Sequence, residues 1–525
     1  MSDDSPKEAR TNTSTVDLEP RPGSPEEAAV FDSLQARFPD MYRRVFSDPK
    51  EPRTVVVIPS MSLDQRELVK IPGAIHYEER MLCLLMLLRL PRTQLIYVTS
   101  TPLDAAVIDY YLHLLPGIPG MHARKRLHLV SCEDPSLTPL SQKILDRPSK
   151  LEELRRSIQH PESAHMTCFN SSHLERTLAV QLAIPMYACD PALSHLGNKS
   201  ESRRLFRQVG MDIPRGHEDL RDRADLTEAV LALSKATPPP TRAVIKLNDG
   251  FSGEGNAVID LDGLADVDFP EKEIHRRITN ELGFVAQDES WEPYEVKLET
   301  MGGIIEEMID VRGARSPSVQ MRIDPLGEVQ TVSTHDQILA GPNGQVYEGC
   351  TFPARAGYRS DLHDAGRRVG SVLRDTGVLG RFGIDFISVP EGDGWCNYAI
   401  EINLRKGGTT LPYLMLEFLT DGSYDWEEGV FRTPTGDTRS YYATDNLVDP
   451  RYKGLRPDEL IDIAVYEGLH YHATAQTGVV FHLLGAVTDH GKIGMLSIAP
   501  TRKEAKAQYR EAVTTLDRAT RVVST

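Results

Sequence analysis

Cysteine is scarce. Cys83, Cys132, Cys168, Cys189, Cys350 and Cys396 are scattered along 525 residues, with no CxxC pair. That spacing argues against a disulfide scaffold and a structural zinc site. Long apolar runs are missing as well: "MLCLLMLLRL" at 81–90 is about half of what a membrane span requires. The N-terminal "MSDDSPKEARTNTSTVDLEPRPGSPEEAA" has no apolar segment of the signal-peptide kind. Basic stripes are absent: the formal net charge is −17 and the densest basic cluster is "RKR" at 124–126. No nucleic-acid partner and no membrane are therefore expected, and a reducing cytoplasm is the expected location. No internal repeat is visible.

What is present divides along the chain. At about 150 residues per domain the length suggests roughly three domains. Residues 1–30, rich in Ser, Pro, Asp and Glu, are expected to be a disordered acidic tail. Over 31–195, β-branched runs such as "TVVVIPS" and "QLIYVTS" alternate with helical stretches, which predicts an N-terminal α/β domain on a mostly parallel sheet. No phosphate-binding loop follows its first strand, so this domain is assigned no cofactor. From 196 to 420 the pattern becomes strand pairs, predicting a two-lobed core with lobes at about 196–305 and 306–420. The remainder, 421–525, reads as a small C-terminal α+β domain with a helix over about 457–473. Its apolar strands offer a surface on which two copies could pair as a homodimer.

Three stretches carry chemistry. "VIKLNDGFSGEGNAVIDL" (244–261) has the look of a phosphate cradle but fails both familiar tests. Asn256 and Ala257 stand where a P-loop needs Lys and Ser/Thr, and Val258 breaks GxGxxG. Both of those motifs run from strand into helix. Here "NAVIDL" is another strand, so the glycines form the tip of a hairpin: either a lid whose backbone N–H groups fold over a phosphate, or a plain glycine-rich surface turn with a solvated lysine. Period-two alternation puts Val244, Lys246 and Asn248 on one face, leaving the lysine free to enter a cleft.

"RFGIDFISVPEGDGWCNYAIEINLRKGGTTLP" (381–412) reads as a hairpin centred near Asp393. That register sets Asp385 directly across from Glu401. Facing like charges destabilise a sheet unless something positive lies between them. Glu401, Asn403 and Arg405 share a face, with Ile400, Ile402 and Leu404 on the other. Carboxylate and amide oxygens are the ligands magnesium prefers, shared with substrate phosphates. In the third stretch, "IIEEMI" around Glu306 and Glu307 suits a hinge between lobes, and alternation further on turns Ser318, Gln320 and Arg322 away from the core.

In chain order, Lys199, Lys246 with its glycine lid, "EEMI", Asp385 and Glu401-x-Asn403-x-Arg405 resemble the ATP-grasp superfamily. "GFSGEGNA", "STHDQIL", "GCTFPA", "GRFGIDF" and "EINLRKGGTT" are similar to the pheganomycin-type peptide ligases. The resemblance implies ATP held between two lobes. Lys199 and Lys246 would bind the α- and β-phosphates, and Ser252, Gly253, Glu254 and Gly255 would cover the γ end. Glu306, Glu307, Met308 and Ile309 would line the adenine slot, with Asp310 a candidate ribose partner. Asp385, Glu401 and Asn403 would ligate Mg2+, and Arg405 with Arg322 would stabilise the transferring phosphoryl group. Where such ligases often carry histidine after "GGTT", this chain has Leu411.

The expected activity is ATP-dependent ligation of a carboxylate to an amine through an acyl phosphate, giving a peptide-like amide, ADP and phosphate. The alternatives are an ATP-grasp kinase, a carboxylate–thiol ligase, or a non-catalytic nucleotide-binding partner in a biosynthetic complex. His335 and Asp336 in "THDQ" are either a general base or part of a polar loop lining the cleft. His470 and His472, placed on the expected helix, point about 200° apart and cannot share a metal.

Overall fold

The computed structural model describes residues 20–62, 68–69, 71–250, 255–264, 267–286, 289–340 and 346–523. The first described helix, Pro25–Ala36, starts inside the stretch expected to be disordered. Ser24 caps it through its hydroxyl, and proline occupies the first turn, where no intrahelical N–H bond is lost.

Four parallel strands follow: β1 (Arg53–Ile58), β2 (Thr93–Thr99), β3 (Leu127–Ser131) and β4 (Ala164–Cys168), in spatial order β3-β2-β1-β4. β1 and β2 are buried at every position, which is why their sequences are continuous apolar runs rather than alternations. The run at 81–90 belongs to a 3-10 helix, Ala74–Arg89, buried along most of its length.

The first lobe is a five-stranded antiparallel sheet, β5 (Gly216–Leu220), β6 (Arg242–Leu247), β7 (Asn256–Asp260), β8 (Gly283–Phe284) and β9 (Gly303–Glu307), ordered β5-β9-β6-β7-β8. β6 and β7 form the expected hairpin, with Lys246 paired to Asn256. The second lobe contains β10 (Pro317–Ile323), β11 (Val329–Ala340), β12 (Val346–Phe352), β13 (Gly380–Glu391) and β14 (Gly394–Asn403). Helix Ala356–Asp375 covers this sheet with Tyr358, Leu362, Ala365, Val369 and Leu373, an apolar stripe at helical spacing. Gly366 lets it approach closely, because a Cβ there would lie 2.7 Å from Met321 Sδ.

The C-terminal strands do not make a sheet of their own. β15 (Ser423–Asp425), β16 (Val430–Arg432), β17 (Thr438–Val448), β18 (Gly478–His482) and β19 (Lys492–Ala499) extend the second lobe's sheet to ten strands, joined where β17 pairs with β12. The apolar strands that suggested a surface for a second copy are thus buried: β18 and β19 are covered at every position and packed under helix Arg502–Val523. One core unites Met81 and Leu85 from the N-terminal unit with Leu414 and Leu416 of helix Thr410–Thr420 and with Val480 and Met495.

Two local expectations need correction. The helix near 457 stops at Tyr466, and Gly468 follows with positive φ. His470 and His472 therefore lie in extended backbone with their rings 4.4 Å apart, so the helical geometry used to separate them does not exist. "THDQ" is not a loop but the middle of β11.

The β12–β17 seam has little tolerance. A Cβ on Gly349 would collide with the carbonyl oxygen of Ala443 across it. Gly349→Ala is expected to lower stability by about 1–3 kcal/mol, measured by urea denaturation, because the clash is with backbone and only a sheet shift relieves it.

Candidate active site

Between the lobes lies a cavity of about 600 Å3. The hairpin β13–β14 supplies its acidic wall. Asp385 does face Glu401, but by a different route from simple counting. The turn is centred slightly before Asp393, and a bulge restores the offset: Phe386 pairs with Ala399, while Asp385 pairs with Glu401. Ile400 is the extra residue. It lines the cavity beside Glu401, so it does not share the buried face of Ile402 as alternation predicted.

Three cations surround this pair. Lys199 opens helix Lys199–Gln208, capped by the Asn198 side chain, and its Nζ sits 3.3 Å from Glu401 Oε2 and 3.3 Å from the Gly250 carbonyl. Lys246 comes from β6, and Arg405 follows β14. Arg405 donates to Asn403 Oδ1 at 3.0 Å, and Asn403 Nδ2 donates to Asp385 at 3.0 Å and to Glu401 at 3.4 Å. Burial and the facing Glu401 raise Asp385 to about 7. Burial pushes Glu401 upward too, but Lys199, Lys246 and Arg405 outweigh it and hold that carboxyl low, at about 2. One acid of the pair is thus set to share a proton unless a further cation arrives. Two carboxylates and an amide that can turn its oxygen inward fit a hard divalent cation. Among the described residues no group of three or more His, Cys, Asp or Glu side chains that could hold a metal ion is found, so a cation here would need oxygens from a phosphate or water as well.

Glu306 and Glu307 both line the cavity, at the end of β9. Glu306, 1% exposed, accepts from Lys246 Nζ at 2.7 Å and from Arg203 Nη1. Its carboxylate therefore fixes where the Lys246 ammonium sits in the cavity. Glu307 accepts from Arg215 Nε at 2.7 Å. Met308 and Ile309 line the same end of the cavity, and Asp310 is paired with Arg242. At the base of the lid, Tyr294 Oη donates to the Gly255 carbonyl at 2.9 Å. Ser252, Gly253 and Glu254 lie outside the described residues.

Arg322 does not join them. It occupies the expected strand face but lies beyond Gln320, which lines the cavity, and its guanidinium bonds Gln330. His335 is buried on β11, takes a 2.6 Å bond with Tyr441 Oη, and is pushed down to about 3 by burial. Asp336 is held by Arg502 at 2.5 Å. Neither lines the cavity. The neighbouring Gln337 does, donating to Asp385 at 2.6 Å; sequence reading passed over it, and over Arg203. Leu411 is buried in the core that joins the N- and C-terminal regions.

The N-terminal unit, assigned no cofactor, still walls the cavity with Tyr77, Arg80 and Phe169. Lys406 ties that wall to the end of β14, donating to Thr167 Oγ1 at 3.0 Å and to the Cys168 carbonyl at 2.6 Å.

A two-lobed clasp with cations and paired carboxylates between the lobes defines an ATP-grasp enzyme, and the comparisons agree. Residues 191–284 and 284–427 match the family described as IQCH-like, ATP-grasp; residues 459–512 match the PGM1 C-terminal domain. The chain is 31% identical over 471 residues to L-propargylglycine--L-glutamate ligase of Streptantibioticus cattleyicolor, spanning 87% of this chain and 93% of that protein. It is 22% identical to IQ motif-containing protein H of Danio rerio, over 85% of this chain and 47% of that protein. The solved biotin carboxylase β,γ-ATP complex from Campylobacter jejuni shares the fold, with a TM-score of 0.54 at 13% identity over 89% of this chain and 92% of that one. The chain belongs to the ATP-grasp ligase family of the Streptantibioticus enzyme, the pheganomycin-type peptide ligases. Among the described residues, no helix is long and apolar enough to cross a membrane.

The two hinge acids are expected to behave differently. Glu306→Gln leaves Arg203 and Lys246 facing each other without their shared counter-charge, and should cost about 3–5 kcal/mol in chemical denaturation. Glu307→Gln, whose partner Arg215 is 39% exposed, should cost no more than about 1 kcal/mol.

Proposed function

We propose that the protein joins a carboxylate to an amine at the expense of ATP, through an acyl phosphate, releasing ADP and phosphate. The observation that carries this is the opposed pair Asp385 and Glu401 ringed by Lys199, Lys246 and Arg405. Such an arrangement suits a polyphosphate with its cations and little else.

In this reading Lys199 and Lys246 hold the α- and β-phosphates, and Glu306 keeps Lys246 directed at them. Glu306 to Ile309 line the adenine slot. Asp385, Glu401 and Asn403 hold Mg2+, with Gln337 orienting Asp385. Bound Mg2+ supplies charge neutralisation on the phosphates. Arg405 stabilises the phosphoryl oxygens as the carboxylate takes the γ-phosphoryl group, and then the acyl-phosphate oxygens as the amine displaces phosphate. The glycine stretch ending at Gly255 is assigned to the γ end, where water must be kept from the acyl phosphate. The Streptantibioticus relative is named for two amino acids, L-propargylglycine and L-glutamate, which makes amino acids the first substrates to try.

Hydroxylamine separates the alternatives. With ATP, Mg2+ and mixed carboxylates, ADP, free phosphate and hydroxamate are expected; phosphate retained on a substrate would indicate a kinase, and a nucleotide complex without turnover a binding role. Asp385→Asn and Glu401→Gln should each lower turnover by at least about 100-fold. Asp385→Asn also removes like-charge repulsion, so its melting temperature is expected to equal or exceed the native value. Normal turnover in both variants would remove the metal assignment.

A further inference from the structure

The part of the cavity built by the N-terminal unit and the C-terminal strands has its own charge balance. Arg80, on helix Ala74–Arg89, places its guanidinium 3.6 Å from the centre of the Tyr77 ring and 2.5 Å from Asp445 Oδ2 on β17. That pair is neutral overall. Lys492, the first residue of β19, also reaches this wall, where its Nζ donates to Tyr77 Oη at 2.7 Å. Lys492 is 3% exposed, and among the described residues no carboxylate lies within 4.0 Å of its Nζ. A phenol hydroxyl satisfies one of the three ammonium hydrogens but not the charge. This wall therefore presents one buried cation without a counter-charge, and it presents it into the cavity.

The position says which ligand supplies that counter-charge. Arg405, at the phosphate end, has Arg80 as an electrostatic neighbour. Lys492 lies past Arg80 and Tyr77, with the Arg80–Asp445 pair beside it. The carboxylate being activated must meet the γ-phosphate next to Arg405, so the amine approaches the acyl carbon from this outer wall. Resting on the ligase reading above, we propose that Lys492 binds a carboxylate of the amine substrate that takes no part in the new bond. The acceptor is then an amino acid or a peptide bearing a free carboxylate, not a simple amine.

The test uses the full-length protein with ATP, Mg2+ and a panel of L-amino acids as carboxylate donors. The acceptors are L-amino acids, each compared with its own carboxamide. Native protein is expected to prefer the acid by at least about tenfold in kcat/KM. Lys492→Met should abolish that preference by raising KM for the acid about tenfold, leaving KM for ATP unmoved. Lys492→Arg, which keeps the charge, should keep the preference. Equal use of acid and carboxamide by native protein overturns the assignment, as does a preference undiminished in Lys492→Met. The native comparison and Lys492→Arg decide the matter even where Lys492→Met fails to fold. Hydroxylamine in place of the acceptor isolates the underlying reading: where native protein forms hydroxamate, those outcomes bear on Lys492 alone. Where no donor gives hydroxamate or ADP, the ligase reading fails and the Lys492 assignment falls with it.

Discussion

Two carboxylates fixed opposite each other on one hairpin are a liability that a sheet does not accept without compensation. Asp385 and Glu401 are held so by a bulge, and the surrounding elements converge to answer their charge. The capped N-terminus of helix Lys199–Gln208 brings Lys199, the lid hairpin brings Lys246, and the residues after β14 bring Arg405. Lys246 is in turn aimed by Glu306, whose second oxygen is taken by the buried Arg203. The charges run from the buried Arg203 through Glu306 and Lys246 to the Asp385–Glu401 hairpin, where cations answer the paired carboxylates.

Around this chain of charges the units divide the labour. The first lobe supplies Lys246, Glu306 and Glu307 to the cavity, and the second lobe supplies the Asp385–Glu401 hairpin. The N-terminal unit, to which the sequence assigned no cofactor, walls the cavity with Tyr77, Arg80 and Phe169 and is fastened to the end of β14 by Lys406. The C-terminal strands extend the second lobe's own sheet and contribute Asp445 and Lys492 to the same wall.

Much of the nucleotide half was legible in the sequence because its signals are local. "NAVIDL" after the glycines announced a strand, which is β7, and a short apolar hairpin announced the Asp385–Glu401 pair. Even there the bulge was invisible, since Ile400 looks like any other strand residue, and the pairing came out right although the turn lies slightly off the assumed centre. Alternation gave Arg322 its face but not its distance from the cavity along the strand. His470 and His472 were placed on a helix that Gly468 ends. Arg203, Gln337 and the outer wall left no local trace, because each acquires its role from a partner remote in sequence.

That remoteness has an entropic side. Tyr77 and Lys492 are 415 residues apart, and Arg80 and Asp445 are 365 apart. Closing loops of that length costs chain entropy, which the shared core must offset. Asp445 and Lys492 reach the outer wall only when β17 and β19 have joined the second lobe's sheet, so one side of the cavity depends on strands that follow both lobes in sequence.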